Sequence, residues 1–371
     1  MNLCLIDVSA RVASVRNNFG VVSSLYKLIE GSAKRHHIFE QIQKEAGLKA
    51  LTIKDLCETR WTCRFECLKV VLLRLREIIT ALEVMEAPDA YLLLNSIQSF
   101  DFIIHLLFMN KIYSITNILS KFLQHSNISL TDALNQVKTT IDTLKTLRTD
   151  TEFDSVYSEA LKLSDENGIE PPRPIRKKTI SIRLGGGIDA TTILSVKDYY
   201  RINTYYMTLD TIITSINNRF DENTIGIVVL MEKLFLTKDL LSDDEVKNLS
   251  KTYLVSYDDL KAEQQLYKNK MHNQKINIAD ATKYILDNNF HIAFSSKNGL
   301  FKILWTIPVN SCECERSFSA LKRLKTYLRN SMREERLSGL AILNIEKDVE
   351  INMEQIVIDF IPKKHGRKMI F

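Results

Sequence analysis

Residues 308–329, PVNSCECERSFSALKRLKTYLR, and residues 336–345, RLSGLAILNI, decide how the rest of the chain is read. Pro308 ends the apolar run before it, Asn310 can cap a helix, and Glu313 stands three residues later, a capping-box spacing. With about 3.6 residues per turn, Phe318, Leu321, Leu324 and Leu328 share one face. Glu315, Ser319, Lys322, Thr326 and Arg329 line another. From Arg316 to Arg336 there are seven Lys/Arg against Glu334 and Glu335. A carboxylate heading a basic stripe suits metal and phosphate chemistry. It equally suits a first-turn acid stabilised by the helix dipole above a solvated face.

Past Arg336 the pattern changes. Leu337, Leu340, Ala341, Ile342, Leu343 and Ile345 leave too little polar surface for a helix lying on an exterior. Such a helix is buried either by its own core or by another subunit, and its composition suits both.

Working outward, helical periodicity dominates the whole chain and strand alternation is scarce. Val8, Val12, Val15, Phe19, Val22, Leu25 and Ile29 recur at three- and four-residue steps, predicting one helix or two that meet near Gly20. Ser32 is a suitable N-cap for a helix ending by Gly47. Trp61, Phe65, Leu68, Leu72, Leu75, Ile79 and Leu82 form the next stripe, stopped before Pro88. Further helices are expected over about 92–124 and, through Ala133, Val137, Ile141 and Leu144, to about Arg148. Pro171, Pro172, Pro174, the basic residues Arg173, Arg176, Lys177, Lys178 and Arg183, and Gly185 to Gly187 interrupt the pattern and read as a linker. It resumes near Asp198 through Tyr206, Leu209, Ile212 and Ile216, with later helices between about Asp243 and Asn289.

A chain of 371 residues, 45% of them hydrophobic, can bury a sizeable core. A net charge of +5 is compatible with nucleic acid and common elsewhere. No basic region and apolar stretch of a secretory signal opens the chain. The most apolar run, Phe102 to Met109, is far shorter than the roughly 20 residues of a membrane span, so no membrane partner is expected. Cys4, Cys57, Cys63, Cys67, Cys312 and Cys314 do not make a disulfide framework in such a chain. Neither Cys63/Cys67 nor Cys312/Cys314 has a convincing zinc spacing, and ordinary reduced thiols are expected.

The segment from Glu315 to Arg329 closely resembles the C-terminal signature of hAT-family transposases, whose Glu-Arg-x-Phe-Ser core is matched by Glu315, Arg316, Phe318 and Ser319. Asn2-Leu3 resembles the end of a Cys-x-x-His-x-Leu-Asn-Leu motif, and Thr59-Arg60-Trp61 resembles the Thr-Arg-Trp element that follows it. Tyr199-Tyr200-Arg201, Tyr205, Leu209-Asp210 and Arg219-Phe220 are similar to a further block of the zinc-finger MYM-type and THAP-associated branch. Order and spacing agree along essentially the whole chain.

The resemblance implies a mainly α chain: most of an all-helical insertion domain plus the closing helices of a ribonuclease-H-like fold, with the strands largely absent. On this reading residues 1–163 and 198–296 are the two parts of the insertion, 164–197 the linker, and 297–371 the dimerisation region. Glu315 takes the place of the last carboxylate of the family's Asp-Asp-Glu set, whose two aspartates are expected upstream of Met1. Alone it cannot hold two ions, so catalysis is not expected, and Mg²⁺ would serve only if a complete site were assembled. Asp7, Asp55 and the Asp243-Asp244 pair lie outside the family's order and are expected to be surface or cap residues. Phe318, Leu321, Leu337, Leu340, Leu343 and Ile345 are the implied dimerisation residues. Arg60, Trp61, Arg316, Lys322, Arg323 and Arg329 are the candidate DNA contacts. Trp61 reads equally as a core anchor and as a ring that stacks on a displaced base. The implied product is a nuclear, transposase-derived protein that pairs with itself, contacts DNA weakly and takes no small-molecule substrate; a fragment of an active hAT transposase is the alternative.

Overall fold

The computed structural model describes residues 2–56, 61–125, 128–172, 195–220, 222–270, 276–307, 312–326, 329, 331–347 and 349–360. Of the described residues 79% are helical, and no sheet forms among them. The chain divides into two compact units, Met1–Ile307 and Pro308–Phe371.

The larger unit holds two apolar cores. The first begins with α1 (Asn2–Arg11) and α2 (Ala13–Glu30), and every member of the stripe from Val8 to Ile29 is buried in it. The break between these helices falls at Val12, which is extended (φ −110°), and Gly20 lies inside α2. The apolar periodicity runs straight through that break, so the stripe alone could not locate it. Ser32 stands at the N-cap of α3 (Ala33–Glu45), although its side chain makes no capping bond, and Gly47 ends the turn after it at φ +70°, a conformation that favours glycine. The stripe from Trp61 to Leu82 divides at Arg74 into α4 (Trp61–Leu73) and α5 (Leu75–Val84), and Pro88 opens α6 (Pro88–Ile97) instead of merely stopping what precedes it.

α7 (Phe100–Phe122) is the hub of this core, lying against α2, α4 and α6. Ser99 accepts from the Phe102 amide to cap it. By length and composition α7 could cross a bilayer, and 72% of its most apolar 18-residue window is buried inside the fold. The apolar run visible in the sequence therefore extends well beyond Met109, as expected of a helix packed on nearly all sides. α8 (Leu130–Thr146) and α9 (Asp150–Glu166) close over α7, capped by Ser129 and Thr149. α10 (Val196–Tyr200) runs through one π-helical turn, Arg201–Tyr206, into α11 (Met207–Arg219), which lies along α1 and α8. The basic and glycine-rich residues 173–194 lie outside the described residues.

The second core is built by α12 (Glu222–Leu236), α13 (Asp243–Tyr253), α14 (Tyr257–Lys270), α15 (Ile278–Asp287), the short α16 (Phe290–Ala293) and α17 (Ser295–Thr306). Phe235, Tyr267, Phe290, Phe294 and Phe301 meet at its centre. The capping box of Ser242 and Glu245 starts α13. α12 joins the two cores: its buried Glu232 accepts from the Leu130 and Thr131 amides, the latter at 2.8 Å, and from the Thr131 hydroxyl. An acid from one core thus satisfies the first turn of a helix in the other.

Candidate self-association surface and basic stripe

The smaller unit contains α18 (Cys312–Leu324), α19 (Glu334–Ile345) and α20 (Met353–Phe360). α18 and α19 pack on each other, and Ala320 is buried there. Between them runs a groove of about 200 Å³ lined by Ser317, Phe318, Ala320, Leu321, Leu324, Ala341 and Ile345. The face that the sequence assigned to Phe318, Leu321 and Leu324 is therefore one wall of the groove, while Leu328 lies outside the described residues.

The dimerisation candidates divide by exposure. Leu337 and Leu340 are half-buried against the pair, whereas Phe318 is 70% exposed, Leu343 60% and Ile345 55%. Ile342 is exposed too, as are Val349, Ile351, Met353, Ile356, Val357 and Ile358 beyond α19, from 46% at Ile351 to 67% at Met353. The α20 residues escaped the sequence analysis, although their apolar density was visible in it. Scattered exposed apolar side chains are ordinary; a run of them over successive helices in one small unit marks a surface that another surface covers.

Lys322 and Arg323 on α18 and Arg329 beyond it are all exposed. Glu315 and Arg316 belong to α18, with their side chains outside what the structure describes. The same is true of the Trp61 side chain, which begins α4, while Arg60 lies outside the described residues. The carboxylates elsewhere have other partners. Asp7 is neither a free surface charge nor a cap: it accepts from the Ser215 hydroxyl and from Arg219 at 2.8 Å, fastening α1 to α11. Those two donors hold its carboxyl below the usual range. Asp243 pairs with Lys261 at 2.7 Å, and Asp244 approaches Lys247 at 3.7 Å. Cys67 is buried, which pushes its thiol up to about 12.

The string from Tyr199 to Arg219 is a structural clasp. Arg148 grips Asp210 with two hydrogen bonds, 2.6 and 3.0 Å, and lies 4.6 Å over the Tyr206 ring. Tyr206 donates to Asp150 at 2.6 Å, and Arg201 reaches both Asp150 and Asp198 at 2.8 Å. The buried Tyr205 donates to the Leu147 carbonyl at 2.9 Å. These bonds hold the π-helical turn against the α8–α9 corner. The sequence offered the residues but not their partners, which lie some sixty positions away.

Among the described residues all regular structure is helical, and α18 to α20 carry a run of solvent-facing apolar side chains. Residues 285–349 match the hAT family C-terminal dimerisation region, which takes in α18 and α19. The match covers the C-terminal part of the chain alone. It is similar to the human protein named 52 kDa repressor of the inhibitor of the protein kinase, 24% identical over 343 residues, covering 86% of this chain and 44% of that protein. It is likewise similar to the mouse protein of the same name, 23% identical over 336 residues, covering 84% of this chain and 43% of the relative. The chain therefore spans less than half the length of these relatives. No solved structure matches it.

Proposed function

We propose that this transposase-derived chain acts as a dimer, joined through the exposed face of α18 and α19, and that it serves as a regulatory module and not as a nuclease. The observation that carries the reading is the row Ile342, Leu343 and Ile345, standing in solvent within the matched dimerisation region. The names of its relatives, both repressors, favour regulation over DNA cutting. Light scattering on the whole chain at about ten micromolar, a concentration that reveals micromolar affinity, should return twice the 42.8 kDa of one copy. A single-copy mass would overturn the reading.

A weak hold on nucleic acid accompanies pairing in this proposal, supported by the exposed Lys322, Arg323 and Arg329 on α18 and the turn after it. Nuclear localisation follows from the same reading. The helices are taken as the insertion and closing helices of a ribonuclease-H-like ancestor. Cleavage is not part of the proposal, because two-metal phosphoryl transfer needs several carboxylates around an ion pair. Asp7 and Asp243 are each occupied by a basic partner. The chain incubated with duplex DNA and Mg²⁺ or Mn²⁺ should leave it intact; nicked product that disappears with Glu315→Gln would refute this part.

A further inference from the structure

Trp305, in the last turn of α17, stands in solvent in a fixed pose. The side chain is 61% exposed, and its indole nitrogen donates to the Thr282 hydroxyl of α15 at 3.0 Å. That hydroxyl donates in turn to the Ile278 carbonyl at 2.7 Å. The polar edge of the ring is therefore satisfied from within the larger unit, and what faces water is apolar. Leu286, one turn after Thr282 and so on the same side of α15, is 55% exposed. A Trp whose only donor is already paired gains little from water, and one whose ring is already held loses little freedom on being covered. Those are the properties of an interface anchor.

We propose that Trp305 and Leu286 form a second pairing contact, seated against the same patch of a second copy of the chain. This inference rests on the dimer reading above and names a contact outside α18 and α19. Two observations select a second copy as the occupant. Both residues fall within the match to the dimerisation region, which begins at 285, in the part of it that precedes α18. The exposed charges beside them are of both signs: Lys302 lies one turn before Trp305 on α17, and Lys283 and Asp287 flank Leu286 along α15. A phosphate chain is met by cations alone. A patch that carries both signs around an apolar centre can face itself across a two-fold axis, where each charge meets its opposite.

The chain has two tryptophans, so Trp61→Phe leaves Trp305 as the sole reporter. Iodide quenching of its fluorescence is followed in that full-length variant from about 0.1 to 50 micromolar, a span that brackets micromolar affinity, with sedimentation of the same samples. Quenching should fall severalfold as dimer replaces monomer. Where Trp61→Phe costs helicity, the difference between the wild type and Trp305→Phe gives the same reading. Trp305→Ala should raise the dimer dissociation constant about tenfold or more, a shift in the range that loss of one anchor produces, with helicity unchanged. A photoreactive phenylalanine at 286, in an equal mixture of ¹⁴N- and ¹⁵N-labelled copies, should link to α15 or α17 peptides of the opposite isotope. A dimer in which Trp305 stays as quenchable as in the monomer would overturn this contact and leave the dimer reading intact. Links from 286 to other elements of the second copy would overturn the two-fold pairing of the patch. A chain that stays monomeric would overturn the dimer reading and this inference with it.

Discussion

Lys297 is nearly fully buried at the centre of the second core, its amine 3.3 Å from the Tyr267 ring centroid and 5.3 Å from that of Phe235. Its Nζ has no hydrogen-bond partner among the described residues. The ring face attracts a cation, but loss of water outweighs it and Lys268 adds repulsion, so the Lys297 pKa lies well below the ordinary lysine value. Lys268, buried to a lesser degree and donating to the Lys233 and Thr237 carbonyls, is lowered to about 8 by the same loss of water. Between these depressed values and 10.5 the unfolded chain binds more protons than the native one. Stability therefore rises with pH there, and the penalty is fully present below the folded values. Tyr267, raised by burial from 10.0, reverses the trend above that value. Lys297→Met, which fills the same space without an amine, should raise stability at neutral pH by on the order of 1 kcal/mol or more. It should also flatten the rise between pH about 8 and 10. Urea titrations of both proteins across that range check it; a destabilised variant with an unchanged pH slope would mean that Lys297 is charged and held by the rings.

Among the elements, α8 begins under the Glu232 carboxylate, which accepts its first amides from the neighbouring core. Removing it would leave two donors of a helix terminus unpaired in a buried place, each costing about 1–3 kcal/mol. Glu232→Ala should therefore lower the urea midpoint by the equivalent of roughly 3 kcal/mol with the slope unchanged, and Glu232→Gln, which keeps one acceptor, should recover part of it. A loss under about 0.5 kcal/mol, the level of an ordinary surface change, would contradict this bridging role.

The first core was legible because its helices alternate buried and exposed positions: the spacing of Val8 to Ile29 and of Ala133 to Leu144 alone assigns them to faces. α12 was not singled out. Its run from Ile225 to Leu236 is apolar nearly throughout and has no polar face to give it a period. Glu232 and Lys233 inside that run were the visible signal, since a charge in an apolar run needs a partner. The partners of Arg148, Asp7 and Tyr205 could not be read, because sequence periodicity reports a face and not what lies across from it. At the C terminus, the sequence could not choose between an internal core and a subunit seam for α19; exposure of Ile342, Leu343 and Ile345 favours the seam.

The α18 stripe makes its own prediction. If Lys322, Arg323 and Arg329 meet phosphates, association with duplex DNA should be sequence-independent and weaken steeply with salt. Their joint replacement by Ala should reduce the slope of log affinity against log salt by up to about 3, roughly 0.9 per lost contact. Unchanged slope in the triple variant would move the contact elsewhere, with Arg176 to Lys178 the next tract to test.

For the molecule as a whole, two packed cores stand on internal contacts while the terminal helices leave their apolar sides open. Burying such sides between copies releases about 25 cal/mol per Å² of apolar area, set against the entropy lost on association. Leu343 gives the cleanest probe. At 60% exposure it contributes little to the packing of its own unit, unlike the half-buried Leu340, whose replacement by Asp would disturb α19 itself. Sedimentation of the full chain and of Leu343→Asp at about ten micromolar, in the range where micromolar dimers persist, is the most direct test of self-association. The wild type should sediment as a dimer and the variant as a monomer of equal helicity; a monomeric wild type, or a variant that remains dimeric, would contradict the account.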